Sequence, residues 1–413
     1  MDGDEPSRAP TSVVSSPAER RLAYAILLSG TLVIGMGQTV VFAVLPPIAR
    51  GLGLHDFQVL GVFMLSAVFW VSCGPLWGRQ SDNVGRRPFI LLGLGAYALS
   101  MILFATAIRS GMEGALSGWL LYVLMLAARS LYGAFGSAMP PAAQAYIADR
   151  SDPSRRTAAL AGFSATFGLG AMLGPAFAGA AGAIGPLAPL YGVASLALLA
   201  TVAIYLRLRE RTPPKEKTER PKLSPFDVRI RAYLVFGLTI SIATAIPTQF
   251  ASFYAIDRLG VDAAEAVTAA GVALSAAAGA SLFAQVALVQ RFNLSPQILM
   301  RAGPALMCVG HVIVAASTDL GPFVFGMLLS GLGAGLVAPG FVGGASLAVS
   351  TSEQGAVAGL SNSAAAASFI VAPAIGYLIY AAAPWALFGL TAGLAASCCA
   401  FAFFGPAFKA NQQ

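Results

Sequence analysis

Residues 78–88 read Gly78-Arg79-Gln80-Ser81-Asp82-Asn83-Val84-Gly85-Arg86-Arg87-Pro88. Gly78 allows a neighbouring helix to approach closely, and Gly85 permits a tight turn. Asp82 sits among Arg79, Arg86 and Arg87 and softens their charge. The stretch reads as a short connection between two apolar segments. A need for basic charge would explain the arginines, but not the glycine–acid–glycine–arginine spacing.

Both flanks of this connection are long apolar runs, and such runs recur from Leu22 to Phe404. The chain of 413 residues is 57% hydrophobic and only 10% charged, with a mean hydropathy of +0.74. A soluble domain carries about 25% charged residues, so this chain could not cover a soluble surface. Composition therefore excludes a soluble enzyme, a secreted disulfide scaffold and a disordered regulator, and leaves a polytopic membrane protein. The runs are continuous and rich in Ala, Leu and Gly, which fits packed helices rather than the alternating strands of a barrel. Cys73, Cys308, Cys398 and Cys399 all fall inside apolar runs without metal-ligand spacing and read as small core residues. No metal or other cofactor is expected.

The expectation is an all-α protein of twelve transmembrane helices in two pseudo-symmetric six-helix bundles. Spans are placed near 22–48, 57–78, 89–108, 118–147, 157–182, 187–206, 232–255, 264–290, 297–316, 321–348, 355–381 and 384–406. This divides the chain into a disordered tail (1–21), a first bundle (22–206), a polar linker (207–231), a second bundle (232–406) and a short tail (407–413). The first tail lacks the pattern of a cleaved signal peptide. With the N-terminus in the cytoplasm, 21 of the 25 Lys and Arg fall on the cytoplasmic side, and only Arg50, Arg109 and Arg258 on the other. That asymmetry obeys the positive-inside rule for a plasma (inner) membrane protein with both termini cytoplasmic. The net charge of +7 thus reflects topology, and no nucleic-acid partner is implied.

The halves carry a repeat. A shift of 198 residues lays Gly133 on Gly331, Pro141 on Pro339 and Pro175 on Pro373. Repeated halves around a midplane site are a transporter architecture.

The stretch 78–88 resembles the signature loop of the major facilitator superfamily, G-x-x-x-D-x-x-G-R-[RK]. The span count and central linker agree with that family. The resemblance implies a gate made by Gly78, Asp82, Gly85, Arg86 and Arg87, in which the acid faces the start of span 11. Asp149, near the end of span 4, is the implied partner of Arg86. Asn83 departs from the basic residue common there. Arg129 with Gly133 resembles the family's span-4 motif, which is linked to proton coupling. Gly170, Gly174 and Pro175 are similar to the helix-kinking motif of drug-exporting members, although Ala161 and Ala178 replace two of its glycines. Tyr146-Ile147-Ala148-Asp149-Arg150 adds similarity to twelve-span drug:proton antiporters, the group that holds the tetracycline exporters.

A guanidinium at mid-span is costly in lipid, so Arg129 must meet a partner, a carbonyl or a wet cavity. It serves either as an interhelical anchor or in substrate binding or coupling. In the family, spans 1, 4, 7 and 10 line the cavity, which nominates Gln38, Thr39, Arg129, Tyr132, Thr244 and Gln249, with Asn362 from span 11. No Asp or Glu lies deep in a span. His311 could titrate, but span 9 is peripheral in the family, and a structural role is expected for it. The resulting expectation is a secondary transporter, not an enzyme. It exports small amphipathic organic compounds, drug-like or anionic, coupled to protons, and works as a monomer in the bilayer. The alternative is an importer or uncoupled facilitator of a small organic metabolite.

Overall fold

The computed structural model describes residues 17–151, 156–208, 210, 223–292, 294–350 and 353–405. The expected N-terminal tail up to residue 16, about half of the linker (209 and 211–222), residue 406 and the tail (407–413) lie outside them. Among the described residues, twelve helices are long and apolar enough to cross a membrane. We label them α1 (Pro17–Gly51), α2 (Asp56–Val84), α3 (Arg87–Met112), α4 (Gly118–Arg150), α5 (Arg156–Gly182), α6 (Ala188–Arg207), α7 (Arg231–Leu259), α8 (Ala263–Val289), α9 (Pro296–Ala316), α10 (Leu320–Leu347), α11 (Gln354–Ala382) and α12 (Pro384–Phe404). Helices α1–α6 form one bundle and α7–α12 the other. The end carrying the start of α1 and the α2–α3 connection is called the basic face below.

The main local surprise concerns residues 78–88. Gly78 to Val84 continue α2 as helix, and only Gly85 and Arg86 separate it from α3. Arg79, Gln80 and Ser81 all tolerate helix, and the chain turns only at Gly85, whose φ of 115° a side chain would resist. Asp82 in the last turn of α2 meets Arg86, four residues on across the break at Gly85, as an ion pair.

Small residues bring the helices together, as expected where lipid gives no hydrophobic drive between helices. A Cβ on Gly170 or Gly174 of α5 would strike the Leu32 or Met36 carbonyl of α1. Thr39 Oγ1 fixes the same contact by donating to the Ala171 carbonyl at 3.0 Å. The repeat appears in three dimensions too. Gly133 of α4 presses on the Ser66 backbone of α2, and Gly331 of α10 presses on the Ala277 backbone of α8. Sparse polar bonds complete each bundle, such as Ser100 Oγ to the Ala128 carbonyl (2.7 Å) and Tyr254 Oη to the Val314 carbonyl (2.6 Å).

Candidate functional site

Between the bundles lies a cavity of about 370 Å³, within the size range of small-molecule sites. The first bundle lines it with Gln38, Thr39, Phe42, Phe63, Trp70, Arg129, Tyr132 and Phe167. The second supplies Thr244, Thr248, Ser281, Met307, His311, Met327, Ser330, Phe369 and several alanines. The aromatic and charged groups thus come mainly from one bundle, and small or flexible groups from the other. Among the described residues, no carboxylate lies in this wall.

Arg129 is 1% exposed, yet it reaches the cavity wall. Its Nη2 donates to Gln38 Oε1 at 3.0 Å, its Nη1 faces the Met101 sulfur at 3.8 Å, and its guanidinium lies 4.5 Å from the Tyr132 ring centre. Nε has no hydrogen-bond partner. Among the described residues, no carboxylate forms an ion pair with Arg129. The charge is held by one amide and the face of one ring, so the protein leaves the guanidinium incompletely satisfied.

Local sequence explains how Arg129 is presented. Pro140 and Pro141 have no N–H and interrupt the hydrogen-bond ladder that α4 would otherwise carry through. Ahead of them, Tyr132–Gly136 widen into a π turn, a feature often found at functional positions. The Ala134 carbonyl in this turn is taken up from outside the ladder: Trp77 Nε1 of α2 donates to it at 2.6 Å and Ser137 Oγ at 3.0 Å.

Of the residues nominated from sequence, Gln38, Thr39, Arg129, Tyr132 and Thr244 meet in the cavity wall. Gln249 and Asn362 do not line it. Gln249 is completely buried with both amide atoms unpartnered, on the α7 face that carries Ser252 one turn on. Asn362 is exposed on α11. His311 corrects the expectation that α9 stays peripheral: it is 1% exposed, lines the cavity and leaves Nδ1 without a partner. The close approach of α9 to α10 through Gly303, Gly310, Gly326 and Gly333 brings it inward. Sequence reasoning also missed Trp70 and Phe369, which look like ordinary apolar residues until the bundles are placed. The Gly170, Gly174 and Pro175 motif forms packing surface. Its glycines seat α1, and a Cβ on Gly271 of α8 would meet the Pro175 carbonyl at 3.0 Å.

Bonds between the bundles cluster on the face opposite the basic one. Arg50, at the end of α1, bonds Asp56 at 2.6 Å and Asp257 of α7 at 2.7 Å, and Tyr380 of α11 donates to Asp257 at 2.7 Å. Ser252 Oγ of α7 donates to the Ala43 carbonyl of α1 at 2.9 Å. Phe42 stacks on Phe369 with centres 6.2 Å apart, and Phe57 meets Tyr377 at 6.3 Å. The cavity is therefore closed toward this face.

On the basic face, Arg86 is a buried hub. It pairs with Asp82, lies 3.4 Å from Asp149 and donates to Ser81 Oγ at 2.9 Å. This one guanidinium joins the ends of α2 and α4 at the start of α3. Gly78 lies against Pro141 of α4, and a Cβ on Gly85 would crowd the Glu210 carboxylate. Arg87 reaches the Tyr205 carbonyl at 2.7 Å, and its backbone N–H donates to Glu210 at 2.6 Å. In the second bundle, Arg229 bonds Asp227 and Glu353 at 2.9 Å each. Ser350 also donates to Glu353, so the Glu353 carboxyl is pulled down to about 2.

Two six-helix bundles around a shared cavity, sealed on one face, have the architecture of a secondary membrane transporter. The comparisons agree. The family model of the Major Facilitator Superfamily matches residues 27–360, and the chain belongs to that superfamily. It is 30% identical over 348 residues to the class D tetracycline resistance protein of Salmonella ordonez, covering 81% of this chain and 84% of that protein. Multidrug resistance protein 1 of Bacillus subtilis is 26% identical over 279 residues, with 67% and 68% covered. A bacterial homologue of the iron transporter ferroportin, solved in an inward-facing state, superposes with a TM-score of 0.70 at 16% identity, covering 94% of this chain and 99% of that one. These relatives and fold neighbours are membrane transporters, not enzymes.

Proposed function

We propose that this protein exports small amphipathic organic anions across the plasma membrane by alternating access, working as a monomer. One observation carries the reading: Arg129, a permanent buried charge without a paired carboxylate, lines a mostly apolar cavity shared by both bundles. An anion with an apolar body would satisfy both the charge and the wall. The positive-inside asymmetry supports a cytoplasmic basic face and cytoplasmic termini. The sealed face is then external, and the cavity faces the cytoplasm to load. The names of the resistance-protein relatives favour export. For an anion, an inside-negative potential itself drives exit, by about 2.3 kcal/mol per charge per 100 mV. In this reading Asp82, Arg86 and Asp149 form the cytoplasmic gate, and Arg50, Asp56, Asp257 and Tyr380 the external one.

The test is accumulation of fluorescent drugs and organic anions in efflux-deficient bacteria expressing the protein, beside Arg129→Ala and Asp82→Asn. Lower accumulation with the native chain, lost in both variants, supports the proposal. Native levels of efflux in Arg129→Ala would remove its basis.

His311 in the cavity favours a second reading, proton-linked import. Protonation adds a second positive charge to the wall, so a proton and an anion bind together rather than in competition. An inward proton gradient would then draw both in. Proteoliposomes separate the two readings. Flux that follows an imposed potential at equal pH supports export of the anion alone; electroneutral flux that follows a pH gradient supports proton-linked import.

A further inference from the structure

We infer that the cavity selects flat aromatic anions: one or two fused rings bearing a single carboxylate or sulfonate. This rests on the carrier reading above and names its substrate class. The guanidinium of Arg129 lies 4.5 Å from the ring centre of Tyr132, and the Trp70 ring lies 5.0 Å from the same tyrosine. Cation and aromatic surface thus form one continuous strip. An acidic group drawn to Arg129 carries an attached ring onto the Tyr132–Trp70 surface. The orphaned Nε of Arg129 shows that the protein leaves this buried cation incompletely satisfied, which raises the gain from an oxyanion beside the guanidinium. On the sealed side, Phe42 of α1 and Phe369 of α11 stack nearly parallel, 7° apart in plane, and roof the cavity with further ring surface. The wall opposite offers the soft thioether of Met327 and small alanines, which adapt to a flat body of varied outline. With no carboxylate among the described wall residues, an aromatic cation finds no counter-charge and meets Arg129 instead.

The experiment compares three probes of one carbon skeleton on the purified full chain, with affinity read by calorimetry. They are naphthalene-2-sulfonate, its fully saturated decalin analogue, and trimethyl-(2-naphthyl)ammonium. The sulfonates keep their charge at every working pH. The aromatic sulfonate should bind about tenfold more tightly than the saturated one, the worth of roughly two good ring contacts, and the cation should not bind measurably. Trp70→Ala should erase the aromatic preference while keeping the preference for anions. Arg129→Gln should do the reverse. Equal binding of both sulfonates, binding of the cation as tight as that of the aromatic anion, or binding of none of the three overturns the inference. The native protein alone decides these outcomes, so a misfolded variant does not obscure them. The carrier reading fails separately: aromatic sulfonate that binds but never crosses proteoliposomes defeats transport and leaves the substrate class standing. Equal transport of both sulfonates defeats the class and leaves the carrier.

Discussion

Arg129 concentrates the electrostatic tension of the molecule. Its charge is held by Gln38 and the Tyr132 ring, without a carboxylate among the described residues, and one donor stays open. Replacing it with Gln removes an uncompensated charge from the membrane interior, so the protein should fold as well as before or better while losing anion affinity. Thermal unfolding and naphthalene-2-sulfonate binding on the same sample check this: an unchanged or higher Tm with at least about tenfold weaker binding is expected, since a charged hydrogen bond contributes roughly 1.5–3 kcal/mol. The glycines of α5 predict the opposite pattern. Gly174→Val would drive a side chain into the Met36 carbonyl and Thr39, and should destabilise the first bundle by about 1–3 kcal/mol, measured as a lower Tm in detergent.

The helices and their ends were legible in the sequence to different degrees. The α5 span from 157 to 182 and the α10 span from 321 to 348 fall within a residue of the observed helices, because polar loops and prolines mark both ends. The end of α2 was placed too early, at 78, since charged residues look like loop even when they extend a helix beyond the bilayer. The candidate site was readable where polarity in an apolar run is itself the signal, as for Arg129, Gln38 and Tyr132. It was unreadable where only tertiary packing decides. The same logic that exposed Gln38 suggested Gln249, yet the turn of α7 directs Gln249 away from the cavity wall. His311 went the other way, because no sequence pattern says that glycines will draw α9 inward. The clip at the start of α11 gives a pH prediction. Hydrogen bonds from Arg229 and Ser350 hold Glu353 down to about 2, against an ordinary value near 4.3. A depressed carboxyl stabilises the folded form fully above the unfolded value, and that contribution is lost only as pH falls through the folded one. Glu353→Gln should therefore leave the shape of the transport-versus-pH curve between pH 5 and 8 unchanged, as flux in proteoliposomes will show.

In the proposed cycle the two faces would hold the protein in one of two states, with the ion pairs weighing that choice. Asp257 takes bonds from Arg50 and Tyr380 on two different helices of the sealed face. Asp257→Asn should shift the population toward the outward-open form roughly fivefold, the equivalent of about 1 kcal/mol for a part-exposed pair. The check is the rate at which an impermeant maleimide, added from outside, labels Thr248→Cys in the cavity wall of a chain without its native cysteines. An unchanged rate would show that the seal is held by the apolar contacts of Phe42, Phe369, Phe57 and Tyr377 instead. One feature ties the faces to the cavity itself. Trp77 donates its indole N–H to the Ala134 carbonyl, one turn beyond Arg129, and its chain neighbour is Gly78 on the basic face, in the proposed gate. In the proposed cycle, a shift of α2 would pull on the same turn that presents the guanidinium. The indole would then act as a tie rod, letting the door tell the binding pocket which way it is swinging. Trp77→Phe cuts the rod but keeps the ring: naphthalene-2-sulfonate should still bind, and Asp82→Asn, which should alter that affinity in the otherwise native chain by shifting the gate, should no longer do so.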